Sequence, residues 1–184
     1  WKSTVPLVIS HLNPAQDQLI QSELVAQINF FNSAEYQSLP SGPSHCDLFR
    51  DNVLFDNVSG QDELGGFFDF YFAGNDKWLF DLAVTINDWC IDLATGEIDQ
   101  ARYAGMIEKY QAVRSFEPAE INSWNKMLRA AALRFWVSRL WDYHLPREAK
   151  MLTPHDPTHF ERILISRREV SSNLPNNSAK HATK

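Results

Sequence analysis

The sequence is short of cysteine, of basic charge and of long apolar runs, and each shortage narrows what the chain can be. It has 2 cysteines in 184 residues, Cys46 and Cys90. That is too few for a disulfide framework, and they read as reduced thiols of a cytoplasmic protein. Lys and Arg number 17 against 23 Asp and Glu, a formal net charge of −6. Phosphate backbones are bound by clustered cations, so no nucleic-acid partner is expected. A small cationic or zwitterionic substrate suits the balance better. No apolar stretch approaches the roughly 20 residues that span a bilayer, so no membrane partner is expected either. The opening WKSTVPLVIS lacks the charged segment and long apolar stretch of a secretory signal. It also starts on Trp1 rather than Met, which reads as processing or as a piece of a longer protein.

What is present is core material. Apolar residues make up 44% of the chain and aromatics 12%, with 6 Trp and 12 Phe, which excludes disorder throughout. The length fits one large domain or two small ones. Asn13-Pro14 reads as a helix start, cap then first-turn proline. Ile20, Leu24, Ile28 and Phe31 follow at helical spacing, and the helix should end near Asn32. SLPSGPS, residues 38–44, reads as a turn-rich linker. NVLFD and GGFFDF read as two strands joined by a hairpin turn, ending near Asp69. From Lys77 the period becomes helical again (Trp78, Leu82, Ile86, Trp89), and DLATGEID breaks that helix. A third helix carries Tyr103, Ile107 and Tyr110. Pro118 opens a long fourth helix whose alanine-rich middle favours helix and close packing. Pro157 opens a last short one, with Asp156 as its cap and Arg167-Arg168 as its solvated end. From Ser171 the tail is polar, free of aromatics and expected to be mobile. The fold class is therefore α+β and mainly α-helical, with one small β-hairpin flanked by acids.

Those acids carry the chemistry. In SHCDLFRDNVLFD, residues 44–56, His45, Asp47 and Asn52 stand at H-x-D-x-x-x-x-N spacing. In a phosphotransferase such an Asp orients a substrate hydroxyl or accepts its proton. The Asn supplies a neutral oxygen to Mg²⁺, which prefers few protein ligands plus phosphate oxygens and water. Asp69, after the hairpin, stands where the second metal carboxylate belongs. His45 reads as a loop-ordering group. The competing reading is an Asp/Asn-rich turn whose side chains cap backbone groups.

The segment HCDLFRDNVLFD…FFDFYFAGNDKWLFDLAVTINDWC resembles small-molecule kinases of the aminoglycoside-phosphotransferase type, and within them the bacterial homoserine kinases of that protein-kinase-like fold. AALRF at 131–135 and TPHDP at 153–157 extend the resemblance from about residue 13 to residue 168. It implies Asp47 as catalytic base, and Asn52 and Asp69 as Mg²⁺ ligands beside the phosphates of ATP. It implies transfer of the γ-phosphoryl group of ATP to the hydroxyl of L-homoserine, on the route to threonine. Residues 1–170 would be the C-terminal, catalytic and substrate lobe, and 171–184 the tail. There are departures. Cys46 stands where a small Gly or Ala is common, and its size makes it harmless. Ser44 replaces an apolar strand residue, and Gly74 occupies a variable position.

Such kinases also have an N-terminal lobe with a phosphate-covering loop and a strand lysine. Before Lys77 the only lysine is Lys2, and before His45 the only glycine is Gly42. The expectation is that the nucleotide lobe lies outside this chain, and that the chain alone has little or no turnover.

An amino-alcohol zwitterion needs a cation for its carboxylate and an acid or carbonyl for its ammonium. Arg134, and less so Arg139, are candidates on the long helix, where the alternative is a snorkelling or internally paired arginine. Asn75 and Asp76 follow Asp69 on one loop and could face the substrate; Asp76 also suits the cap of the next helix. Asp81, in its first turn, is expected to brace the catalytic loop. His155 and His159 have the spacing of a helical zinc pair, but Pro157 lies between them and no Glu follows the first His, which argues against a metal there; Cys46 beside His45 lacks the further ligands that zinc requires. Two other readings stay open: a kinase for another amino alcohol, choline-like or aminoglycoside, and a catalytically silent binding module. Asp47, Asn52 and Asp69 are all present, which weighs against the latter.

Overall fold

The computed structural model describes residues 1–145 and 155–175. Seven helices stand among them: α1 (Val5–Val8), α2 (Pro14–Phe31), α3 (Ala34–Gln37), α4 (Trp78–Trp89), α5 (Gln100–Val113), α6 (Pro118–His144) and α7 (Thr158–Glu169). Two separate antiparallel pairs complete the fold, β1 (Ser41–Ser44) with β4 (Gly74–Lys77) and β2 (Val53–Val58) with β3 (Gln61–Phe67). None of the described helices is long and apolar enough to cross a membrane.

The helix starts follow from the caps. The Asn13 side chain accepts the Gln16 N–H while Gln16 Oε1 accepts the Asn13 N–H, a reciprocal box with Pro14 in the first turn. At the start of α6 the Glu120 side chain accepts the Glu117 N–H at 2.9 Å, again with a proline, Pro118, in the first turn. Asp156 accepts the N–H and hydroxyl of Thr158, at 2.9 and 2.7 Å, and so opens α7 from one residue further out than a regular cap.

The core is built on α6. Trp124, Met127, Leu128, Leu133 and Trp136 are fully buried, with Ala130, Ala131 and Ala132 between them. The three alanines let α4 and α7 come close. Asn87 of α4 donates to the Leu128 carbonyl at 2.8 Å, and Trp124 Nε1 donates to the Tyr103 hydroxyl at 2.8 Å. These two bonds pair buried polar atoms across helices, while the buried Trp136 Nε1 has no described partner.

Three expectations change. Residues 38–44 are only partly a linker: Ser41–Ser44 forms β1, and Asn75 and Asp76 stand on β4 rather than on a loop. Proline and glycine hide this strand, which exists through pairing with a partner over 30 residues away. Pro43 is tolerated because a two-stranded pair leaves one side of each strand unpaired. Gly42 is needed because the Trp78 indole lies 2.6 Å from where a Cβ would sit. Of the two arginines closing α7, Arg168 is exposed as expected and Arg167 is not. Arg167 is buried and bonds Asn87 and the Gly96 carbonyl, and Arg168 reaches Ser22 and the buried Glu23. The tail does not leave the body at Ser171: Leu174 is buried, and the Tyr103 hydroxyl donates to the Asn173 carbonyl. Residues 176–184 of that tail, and Thr153-Pro154, lie outside the described residues.

Candidate active site

The stretch from His45 to Asn52 is a loop held from three sides. From below, α4 presents Asp81 and Asp88, about two turns apart on one face. The Asp81 carboxylate accepts the backbone N–H of His45 at 3.2 Å and of Cys46 at 2.7 Å. Asp88 accepts the Arg50 backbone N–H at 2.8 Å and pairs with its guanidinium at 3.0 Å. Trp89 Nε1 donates to the Leu48 carbonyl. From the body, the Phe49 ring packs on Phe135 and Phe160. From the hairpin, the Phe68 N–H donates to the Asn52 carbonyl at 3.1 Å, and His45 Nε2 lies 2.9 Å from the Phe68 carbonyl. A carbonyl only accepts, so this nitrogen carries the proton. His45 thereby joins the loop to the end of β3, its ring against Phe70.

This places Asp47, Asn52 and Asp69 in one neighbourhood. Asn52 Nδ2 donates to the Asp47 carbonyl at 2.8 Å. That bond fixes the amide and turns Oδ1 the other way, toward no described partner. Asp69 follows Phe68 directly. It is exposed, sits in the left-handed region at φ 61°, and its carboxylate accepts no hydrogen bond from a described residue. Asp47 is buried, and its Oδ1 has no partner. Burial pushes the Asp47 carboxyl above its usual range; the Arg134 guanidinium opposes this and the Asp69 charge adds to it. A carboxylate with an open lone pair and a raised pKa is suited to accept a proton from a hydroxyl.

Cys46 has φ 62°, again left-handed. Its side-chain size is therefore not the whole matter, because the backbone there favours glycine by roughly 1 kcal/mol. Two strained residues, Cys46 and Asp69, thus flank the loop and the hairpin exit, as functional sites often show.

Beside the loop lies a cavity of about 600 Å³, bordered by Cys46, Phe72, Asp76, Phe80 and Arg134. Arg134 is not a surface residue. Its guanidinium lies 4.7 Å from the ring centres of both Phe72 and Phe135, and Nη1 donates to the Cys46 carbonyl. A second cavity, of about 680 Å³, lies against His45, Phe70, Asn75 and Asp81. Successive strand residues face opposite ways, so β4 sends Asp76 to the first cavity and Asn75 to the second. Asp76 also accepts the Lys77 N–H at 2.7 Å at the start of α4. Arg139 is half-buried, and burial lowers its pKa against the pull of Asp142 and Asp47. His155 is exposed, and burial of His159 lowers its pKa.

Sequence reasoning missed Asp88, Trp89 and Phe72. For the first two the signal was present, since Asp81 and Asp88 repeat at helical spacing. Phe72 gave none, because its role is to cover an arginine 62 residues later.

With this geometry in place, comparisons with known proteins fall into line. The family described as "phosphotransferase enzyme family" matches residues 8–116. A homoserine kinase of Cupriavidus pinatubonensis is 61% identical over 94% of this chain and 52% of its own length. Those of Paraburkholderia phymatum and Ralstonia pickettii are 60% and 61% identical, each over 91% of this chain and 53% and 51% of their own. The chain spans about half the length of these curated relatives. Among solved structures, an ethanolamine kinase of Plasmodium vivax superposes with a TM-score of 0.57 at 14% identity, covering 87% of this chain and 41% of the other, a likeness of fold. The motif around Asp47, the helical architecture and these matches agree: the chain belongs to the phosphotransferase enzyme family.

Proposed function

We propose that this chain is the acceptor-and-metal half of an enzyme that transfers the γ-phosphoryl group of ATP to the hydroxyl of L-homoserine, giving O-phospho-L-homoserine for threonine biosynthesis. The observation that carries this is identity of about 60% to homoserine kinases along nearly the whole chain, with Asp47 held open at its centre. In this reading Asp47 orients the acceptor hydroxyl and takes its proton as the oxygen attacks. His45, Asp81 and Asp88 keep the loop in place. In this reading the rest of the nucleotide site lies in the half of these relatives' length that the chain does not span.

The residues present fit a Mg²⁺ ion. The described residues hold no cluster of three or more His, Cys, Asp or Glu that could hold a metal ion. Mg²⁺ asks for less, one or two oxygen donors plus phosphate and water. Asn52 Oδ1 and the Asp69 carboxylate, both lacking described partners, supply that. When bound, the ion neutralises charge on the ATP phosphates.

The test is ATP consumption by the full-length protein on L-homoserine, ethanolamine, choline and an aminoglycoside. Turnover is expected with homoserine and should fall about 10³-fold in Asp47→Ala. Activity confined to the other acceptors would replace homoserine as substrate, and no ATP turnover at all would favour a silent binding module. The chain alone should show little or no turnover; a rate equal to the full-length protein's would overturn its reading as half of the site.

A further inference from the structure

Arg134 and Asp76 pose an electrostatic problem that the phosphoryl-transfer chemistry leaves open. Arg134 is largely enclosed by the rings of Phe72, Phe80 and Phe135. Its one hydrogen bond to a described residue goes to a neutral group, the Cys46 carbonyl, and no described carboxylate forms an ion pair with it. Asp76, half-buried across the same cavity, has no cationic partner among the described residues either. Arg134 feels the Asp47 and Asp76 charges without bonding to either, and a partly buried charge without a bonded counter-charge is costly, a cost that a ligand supplying one removes. Here two opposite charges border one cavity and do not pair with each other. Leu24, Phe31 and Phe80 give it apolar walls. Lys2 also borders it but is exposed, so its charge is already hydrated.

We infer that this cavity is the acceptor subsite and selects α-amino-acid alcohols over simple amino alcohols, Arg134 taking the substrate carboxylate and Asp76 its ammonium. The inference rests on the homoserine reading above and deepens it. The Cys46 carbonyl links the two functions. Arg134 holds the residue next to Asp47, so the group that reads the carboxylate also sits beside the base that receives the hydroxyl. The apolar walls between the charges suit an aliphatic chain.

The test uses the full-length protein and three acceptors: L-homoserine, 3-amino-1-propanol, which lacks the carboxylate, and 4-hydroxybutyrate, which lacks the ammonium. The readout is the ratio of kcat/KM for homoserine to that for each analogue. The parent should prefer homoserine by about 100-fold or more over both, as sites with buried polar groups do. Arg134→Met should collapse the preference over 3-amino-1-propanol, and Asp76→Asn the preference over 4-hydroxybutyrate. Arg134→Lys, which keeps the charge and the fold, should retain part of it through a raised KM. Removing Arg134 can also displace Asp47, but that lowers all acceptors together and leaves the ratios alone. Unchanged ratios in both variants, with homoserine still phosphorylated by the parent, overturn the subsite while the kinase reading stands. No turnover of homoserine by the parent overturns both.

Discussion

In α6, Trp124 and Trp136 are fully buried, while Leu64 in β3 is 59% exposed and Tyr71 just beyond it 84%. The α4–α6–α7 body and the β2–β3 hairpin thus treat apolar residues in opposite ways. The body buries them against one another and ties its helices together with buried hydrogen bonds such as Asn87 to Leu128 and Trp124 to Tyr103. The hairpin leaves Leu54, Phe55, Val58, Leu64, Phe67 and Phe70 exposed. Its shape comes from elsewhere. Ser59 and Gly60, at φ 55° and 84°, make the tight turn, Asn57 accepts the Gly60 N–H, and the backbone ladder runs with a shift near Leu54. At its base it is tied to the Asp47 loop through Phe68. The body therefore carries stability, and the hairpin carries position: it delivers Asp69 to Asp47.

Variants should separate these two regimes. The largest stability effect is expected in the body. Trp124→Ala removes a fully buried ring and the bond to Tyr103, and should cost about 4 kcal/mol in urea unfolding. Asp81→Ala, at the junction, strands the backbone N–H groups of His45 and Cys46. It should cost about 3 kcal/mol and lower kcat in the full-length protein. Asp47→Asn should move stability and activity in opposite directions. Burial raises the Asp47 pKa in the folded chain, so the folded state holds that proton more tightly than the unfolded state. Its favourable contribution is present below the unfolded pKa and is lost as pH rises through the folded one. At pH 7 the ionised side chain thus opposes folding. The variant should melt higher than the parent at pH 7, and the gap should shrink toward pH 4; a lower melting point at pH 7 would contradict this. The smallest effect is expected on the hairpin, where Leu64→Ser should change stability by no more than about 0.5 kcal/mol. A loss as large as that of Trp124→Ala would show that the hairpin is part of the core after all.

Much of this arrangement is legible in the sequence where local forces decide. The starts of α2 and α6 are visible because Asn13-Pro14 and Pro118 act on their own first turns. The hairpin is visible because Ser59-Gly60 sits between two apolar segments. Asp47 and Asn52 are visible as a spacing, since a bond between the Asn52 amide and the Asp47 carbonyl needs only a short loop. Asp81 is legible as an acid in a first helical turn, but its partners, two N–H groups 35 and 36 residues away, are not.

Other features depend on what the folded chain brings alongside. SGPS carries no strand signal, and only pairing with β4 makes it one. That pairing then separates Asn75 from Asp76, which stand side by side in the chain and face different cavities. Nothing near Arg167 shows that it will be buried against Asn87, nor does anything near Leu174 show that a polar tail will run along the body. Arg134 is the clearest case. On a helix rich in apolar residues it has the pattern of a snorkelling side chain, and its meaning comes from Phe72, Cys46 and Asp76, all more than 50 residues earlier. Caps, turns and helical periods act within a few residues and so are written locally. Burial and the pairing of charge depend on distant neighbours, and those only the assembled fold supplies.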